Sequence, residues 1–169
     1  DWMRQLLGLS AAWQGVIQDT ASTATLVALV CARERATDFG LARRGLQGEP
    51  AELVVYASTQ AHSSVEKAAL LAGLGREQLR KVAVDATLAL CPEALAAAIR
   101  ADLAAGRKPC AVVATTGTTA TTAVDPIAPI AALCREHGLW LHVDAAMGGS
   151  AQLLPECRWM WEGIEGADS

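Results

Sequence analysis

Four short segments carry residue types that can do chemistry. The most informative residue is Asp144, which ends the apolar run Leu139 to Val143 and precedes the small residues Ala145, Ala146, Gly148 and Gly149. A carboxylate in that setting is costly if it is buried without a partner. No Lys or Arg follows until Arg158, so a ligand cation is one candidate partner; a solvated carboxylate or a helix cap is the other reading. Thr20-Ala21-Ser22 opens a helix-prone stretch. Backbone amides at a helix start, helped by small residues and hydroxyls, can hold a phosphate without a lysine, although the same residues also suit an ordinary cap. His62 follows a β-prone run, where a histidine serves either as a catalyst or as a hydrogen-bonded packing residue. Gly117-Thr118-Thr119 can offer hydroxyl and amide hydrogen bonds to a ring substituent, or can form a polar turn.

The elements that must position these residues alternate in type. Apolar spacing over Trp2, Leu6, Leu7 and Leu9 predicts a short helix, and residues from Thr20 or Ser22 to Arg35 predict a longer one with Arg33 and Arg35 in its last turn. Leu53 to Tyr56 reads as a buried strand, Ser63 to Leu74 as a helix stopped by Gly73 and Gly75, and Lys81 to Val84 as a second strand. A proline-started helix from Pro92 to Ala105, a strand from Cys110 to Ala114, a helix from Pro126 to His137 and a strand from Leu139 to Val143 complete the series. Strands alternating with helices of this length imply an α/β fold, a mainly parallel sheet covered by helices. In such a sheet ligands bind beyond the carboxyl ends of the strands, where the four segments are expected to converge.

Composition limits the rest. The 169 residues, 52% hydrophobic and 19% charged, are enough for one domain with a substantial core. A net charge of −4 provides no basic field for nucleic acid, and no run approaches the roughly 18 apolar residues of a membrane span, so the expected partner is a small molecule. Five scattered cysteines without a Cys-x-x-Cys pair suggest a reducing, cytoplasmic compartment, and no zinc-binding histidine pattern is present. The opening Asp1-Trp2-Met3-Arg4 enters an amphipathic pattern directly and reads as an internal cut. Neither a Gly-x-Gly-x-x-Gly after a strand, nor Walker A, nor a Gly-x-Ser-x-Gly elbow occurs, which ranks nucleotide-binding oxidoreductases and serine hydrolases low.

In order along the chain, Gly15-Val16-Ile17-Gln18-Asp19-Thr20-Ala21-Ser22, Gln60-Ala61-His62-Ser63-Ser64-Val65-Glu66-Lys67-Ala68, Ala114-Thr115-Thr116-Gly117-Thr118-Thr119 and Leu141-His142-Val143-Asp144-Ala145-Ala146 resemble group II decarboxylases dependent on pyridoxal 5'-phosphate (PLP). That family contains the aromatic-L-amino-acid decarboxylases. The resemblance implies the large domain of the fold type I, aspartate aminotransferase-like PLP enzymes, spanning residues 1–169 as part of a single cofactor-binding domain. It implies that Ala21 and Ser22 bind the PLP phosphate and that His62 stacks on the ring and contacts the reacting substrate. It further implies that Thr119 lies in the pocket, that Asp144 pairs with the pyridine nitrogen, and that Ala146 packs on the ring face opposite His62. The implied reaction is decarboxylation of an L-amino acid, an aromatic one first, to the amine and carbon dioxide, by a homodimer.

The Schiff-base lysine of the family follows an Asn-x-His-Lys type segment, and none of Lys67, Lys81 and Lys108 occupies a matching position. An N-terminal segment, that lysine segment and a C-terminal small domain are therefore expected to be missing, leaving a fragment inactive alone. Met147 stands where several animal members carry an aromatic residue, a departure at the pocket rim or in the cofactor packing that leaves the choice of substrate open. Another fold type I enzyme, an aminotransferase or a desulfurase, and a non-catalytic scaffold remain as alternatives.

Overall fold

Burial on both faces explains why the strands read as unbroken apolar runs. In a computed structural model that describes residues 2–169, β1 (Leu53–Ser58), β2 (Leu79–Val82), β3 (Lys108–Thr115) and β4 (Trp140–Asp144) form one parallel sheet in the order β2-β1-β3-β4. Six helices accompany it: α1 (Trp2–Leu6), α2 (Ala21–Ala36), α3 (Leu41–Arg44), α4 (Ser63–Leu71), α5 (Pro92–Ala104) and α6 (Ile127–His137). Alternate residues of each strand feed two cores. Val54 and Tyr56 of β1 pack with Leu95 and Ile99 of α5 and Ile130 of α6. Leu53, Val55 and Ala57 pack on the other side, with Leu29 of α2 and Val65 and Ala69 of α4. The result is a helix–sheet–helix sandwich, as expected of the α/β pattern.

The strand order locates the functional end. β2 lies on one side of β1 and β3 on the other, so the chain reverses its direction of travel across the sheet between β1 and β3. A ligand crevice opens beyond the carboxyl ends of the strands at such a reversal. His62, Thr116 to Thr119, and Asp144 lie at or just after the carboxyl ends of β1, β3 and β4 respectively.

Expected bounds move by one or two residues in β1, β3 and β4, and two other elements shift in a way that pairing and packing explain. The second strand runs Leu79–Val82, two residues earlier than Lys81 to Val84, because β1 takes Leu79 to Val82 opposite Val55 to Ser58 and buries Leu79 and Val82. Val84 instead forms an isolated antiparallel bridge with Leu90, closing a turn in which the Asp85 carboxylate accepts from the amides of Thr87 and Ala89. The helix after His62 ends at Leu71, short of Leu74. Gly73 takes φ +79°, which favours glycine, and Leu74 N donates to Ala69 O at 2.9 Å while its side chain enters the core.

At the free edge of β4, Ser169 N donates to Leu141 O (3.2 Å) and Val143 N donates to Ser169 O (2.8 Å), the pairing of a parallel neighbour. Arg35 of α2 anchors that segment through Asp168 at 2.6 Å. No helix among the described residues is long and apolar enough to cross a membrane.

Candidate functional site

The start of α2 separates capping from any other duty. Thr20, in extended conformation, is the N-cap, and its Oγ1 accepts from Thr23 N at 3.2 Å. Ala21 and Ser22 are then the first two helical residues, whose amides have no intrahelical partner. The cap that the sequence allowed Ser22 to supply belongs to Thr20.

His62 is exposed and caps α4. Its Nδ1 accepts from Ser64 N at 3.2 Å and lies 2.9 Å from Ser64 Oγ, while Ser64 itself is buried. The packing reading of His62 therefore does not hold: the ring is a helix cap open to the cavity described below.

Close backbone approach joins the threonine loop to the Asp144 loop. Thr116 N donates to Asp144 O at 2.9 Å, and Gly148 N donates to Thr116 O at 3.0 Å. A Cβ at Gly148 would lie 2.5 Å from Thr116 O, so only glycine allows this contact. Thr118 Oγ1 accepts from Ala123 N at 3.0 Å and meets Thr121 Oγ1 at 2.6 Å, which makes the loop a tight turn and leaves Thr119 exposed at its tip. Below it, the buried Asp125 carboxylate accepts from Leu90 N (2.7 Å) and Thr115 N (2.8 Å).

Asp144 is 7% exposed, and its carboxylate accepts one hydrogen bond, from Ala146 N at 3.1 Å. Among the described residues no Lys, Arg or His forms an ion pair with it. The imidazole two residues away does not serve: burial pulls the basicity of His142 below its ordinary value, against the opposing pull of the Asp144 charge and a hydrogen bond to the Ser169 backbone. The carboxylate is thus largely withdrawn from bulk solvent, and its bond from Ala146 N is the local cap-type contact that the sequence also allowed.

All six residues singled out in the sequence, Ala21, Ser22, His62, Thr119, Asp144 and Ala146, line one cavity of about 190 Å³. Ser64, Thr115, Gly117 and Met147 line it as well. Thr115 and Gly117 belong to the threonine loop and Met147 to the rim that the sequence pointed to, whereas Ser64 was given no role there; its signal was adjacency, two residues after His62. The volume is below the roughly 300–1,000 Å³ of a complete ligand pocket, which suits a partial wall. A hollow of about 300 Å³ beside Leu46, Leu53 and Gln78 is larger but brings together none of the four segments. Chemically, the cavity offers free helix-start amides, a buried anion lacking a cation, an imidazole and a methyl group.

Comparisons with known proteins identify the family. The family model described as "Pyridoxal-dependent decarboxylase conserved domain" matches residues 1–169. Aromatic-L-amino-acid decarboxylase of Bos taurus is 44% identical, with 100% of this chain covering 36% of that protein. Histidine decarboxylase of Drosophila melanogaster is also 44% identical, with 100% of this chain covering 21% of it. The crystal structure of mouse CSAD superposes with a TM-score of 0.93 at 37% identity, over 99% of this chain and 34% of that one. The chain thus spans about a third or less of the length of these relatives, and it belongs to the pyridoxal-dependent decarboxylase family.

Proposed function

We propose that this chain is the cofactor-binding part of a PLP-dependent carboxy-lyase that converts an L-amino acid, an aromatic one first, to its amine and carbon dioxide. One observation carries the reading: a buried carboxylate without a cation shares a cavity with free helix-start amides, an imidazole and a small apolar side chain. That donor set fits PLP, which has an anionic phosphate, a basic ring nitrogen and two flat faces.

The amides of Ala21 and Ser22 and the Ser22 hydroxyl hold the phosphate. Ala146 and His62 would hold the ring, and Thr119 lines the cavity on the loop side. Asp144 keeps a proton on the pyridine nitrogen, because opposite charges favour each other's charged forms, and the low exposure of its carboxylate limits competition from water. When bound, PLP supplies the electron sink that takes up the electron pair left as carbon dioxide departs. None of Lys67, Lys81 and Lys108 lines the cavity, and the chain covers only 36% and 21% of the two relatives' lengths, which supports assigning the lysine that anchors the cofactor, an N-terminal segment and a C-terminal small domain to the rest of the enzyme. We further propose that the full-length enzyme is a cytoplasmic homodimer and that the 169-residue piece is inactive alone.

The test uses the full-length protein with a panel of amino acids, following carbon dioxide release and amine formation against amino-group transfer. Carbon dioxide release is expected. Asp144→Ala is expected to lower turnover on the order of 100-fold or more, as for the loss of a key electrostatic group. Near-normal decarboxylation by that variant with PLP bound would overturn the assignment of Asp144. Amino-group transfer instead of carbon dioxide release would make the protein an aminotransferase, and inertness toward the whole panel would make it a scaffold.

A further inference from the structure

Ser64 was not among the residues expected to matter, yet it grips one nitrogen of the site imidazole twice. Its backbone N–H donates to His62 Nδ1 at 3.2 Å, and its Oγ lies 2.9 Å from the same atom. An amide N–H can only donate, so Nδ1 must present a lone pair. A neutral imidazole with its lone pair on Nδ1 carries its proton on Nε2. The Ser64 hydroxyl then donates to Nδ1 as well. Ser64 is 3% exposed and is the second residue of α4, so its position is set by packing rather than by solvent.

We propose that Ser64 is a positioning residue that fixes His62 as the Nε2–H tautomer, so that the imidazole meets the bound amino acid as a hydrogen-bond donor to a carboxylate oxygen and not as a base. The tautomer follows from contacts within this chain; only the identity of the acceptor rests on the decarboxylase reading. In this state Nε2 already carries a proton and cannot remove one from substrate. Moving the proton to Nδ1 would set two N–H groups against each other and break the cap of α4.

The experiment uses full-length protein carrying 15N-labelled histidine, without cofactor, with the His62 signals assigned by their loss in His62→Gln. Wild type is expected to show Nε2 protonated and Nδ1 unprotonated and hydrogen-bonded. Ser64→Ala keeps the amide and removes the hydroxyl; its Nδ1 signal is expected to move toward that of a weaker acceptor, and Ser64→Thr to restore it. In the loaded enzyme kcat/KM is expected to fall about three- to tenfold in Ser64→Ala, the effect of one lost hydrogen bond, and to recover in Ser64→Thr. An amino-acid ester, which lacks the carboxylate charge and cannot release carbon dioxide, serves as a competitive inhibitor: its inhibition constant should differ less between wild type and Ser64→Ala than kcat/KM for the amino acid does, and an equally large difference would point to a cofactor oxygen as the acceptor and overturn the substrate assignment. A wild-type ring protonated at Nδ1 overturns the proposal, as does a Ser64→Ala variant unchanged in spectrum and in kcat/KM. A protein that releases no carbon dioxide yet shows the Nε2–H ring would defeat the decarboxylase reading and leave the tautomer assignment standing.

Discussion

Two contacts of opposite sign meet at Thr116. Its carbonyl oxygen takes the Gly148 amide at 3.0 Å, and a methyl group at position 148 would sit 2.5 Å from that oxygen, so Gly148→Ala must push the Asp144 loop away from the threonine loop. Its hydroxyl, in contrast, is buried without a hydrogen-bond partner. A buried donor left unmade costs about 1–3 kcal/mol, so an isostere without it removes a penalty. Thr116→Val is therefore expected to be neutral or to stabilise by up to about 1 kcal/mol, and Gly148→Ala to destabilise and to weaken PLP binding. Thermal melting of the full-length variants, together with cofactor titration, checks both, and a clear drop in melting temperature for Thr116→Val would mean that the hydroxyl is bonded after all. At this scale the sequence was informative about residue type and silent about partner. A carboxylate at the end of an apolar strand could be read as unusual before its surroundings were seen. Which ring nitrogen Ser64 would face could not, because that depends on the backbone angles of a cap, and the choice of Thr20 over Ser22 as the cap of α2 depended on angles in the same way.

Elements were legible in proportion to how evenly their residues are buried. β1, β3 and β4 stand out because nearly every residue in them is buried, whereas β2 buries only its two ends, Leu79 and Val82, so Lys81 to Val84 suited a strand as well as Leu79 to Val82 did. Only pairing with β1 decides that register. The 3-10 segments Gly149–Leu153, Pro155–Trp161 and Ile164–Gly166 have no period to read. Also hidden from the sequence was the polar latch joining helix to sheet. Asp102 of α5 accepts from Tyr56 of β1 at 2.9 Å, from Arg80 of β2 at 2.8–3.1 Å and from Arg107 at 3.2 Å, with its own side chain 5% exposed. Burial works to raise its pKa, but the hydrogen bonds from Arg80, Tyr56 and Arg107 and the charge of Arg80 together hold it below the usual carboxylate value. A carboxyl lowered in the folded state adds stability above its unfolded pKa of about 3.9 and loses that contribution as pH falls through the folded value. Asp102→Asn is thus expected to cost about 1–3 kcal/mol at neutral pH, the order for weakened hydrogen bonds to a charged group, because Arg80 and Arg107 keep access to solvent. It should also flatten the decline of melting temperature below pH of about 4. An unchanged acid profile would show that the latch is not what fails in acid.

On the scale of the whole molecule, the described surface is uneven in a way that bears on the site. Glu165 binds Ser10 through its amide and hydroxyl (2.9 and 2.7 Å) and the Trp13 indole (3.0 Å), clasping the N-terminal loop to the carboxyl-terminal turn. Beyond the clasp the chain leaves Val16 and Ile17 77% and 90% exposed, three to four residues before the Thr20 cap that sets the free amides of Ala21 and Ser22. Two neighbouring apolar side chains held in water just ahead of that helix start are an unfavourable arrangement unless something covers them, and a second copy of the enzyme is the covering surface that the proposed homodimer would supply. Burying the Ile17 side chain is worth about 1.5–3 kcal/mol, and a lysine there forfeits that and brings a charge into the contact. Ile17→Lys in the full-length protein is therefore expected to weaken dimerisation at least about tenfold, seen by sedimentation over a dilution series, while the far-ultraviolet circular dichroism of the protomer stays the same. Cofactor affinity should fall with the dimer, because the loop that presents Ala21 and Ser22 loses its cover, and it should recover at protein concentrations high enough to restore association. Unchanged sedimentation together with unchanged cofactor binding would mean that Val16 and Ile17 are covered by another part of the same chain, and the dimer contact would have to be sought elsewhere on the surface.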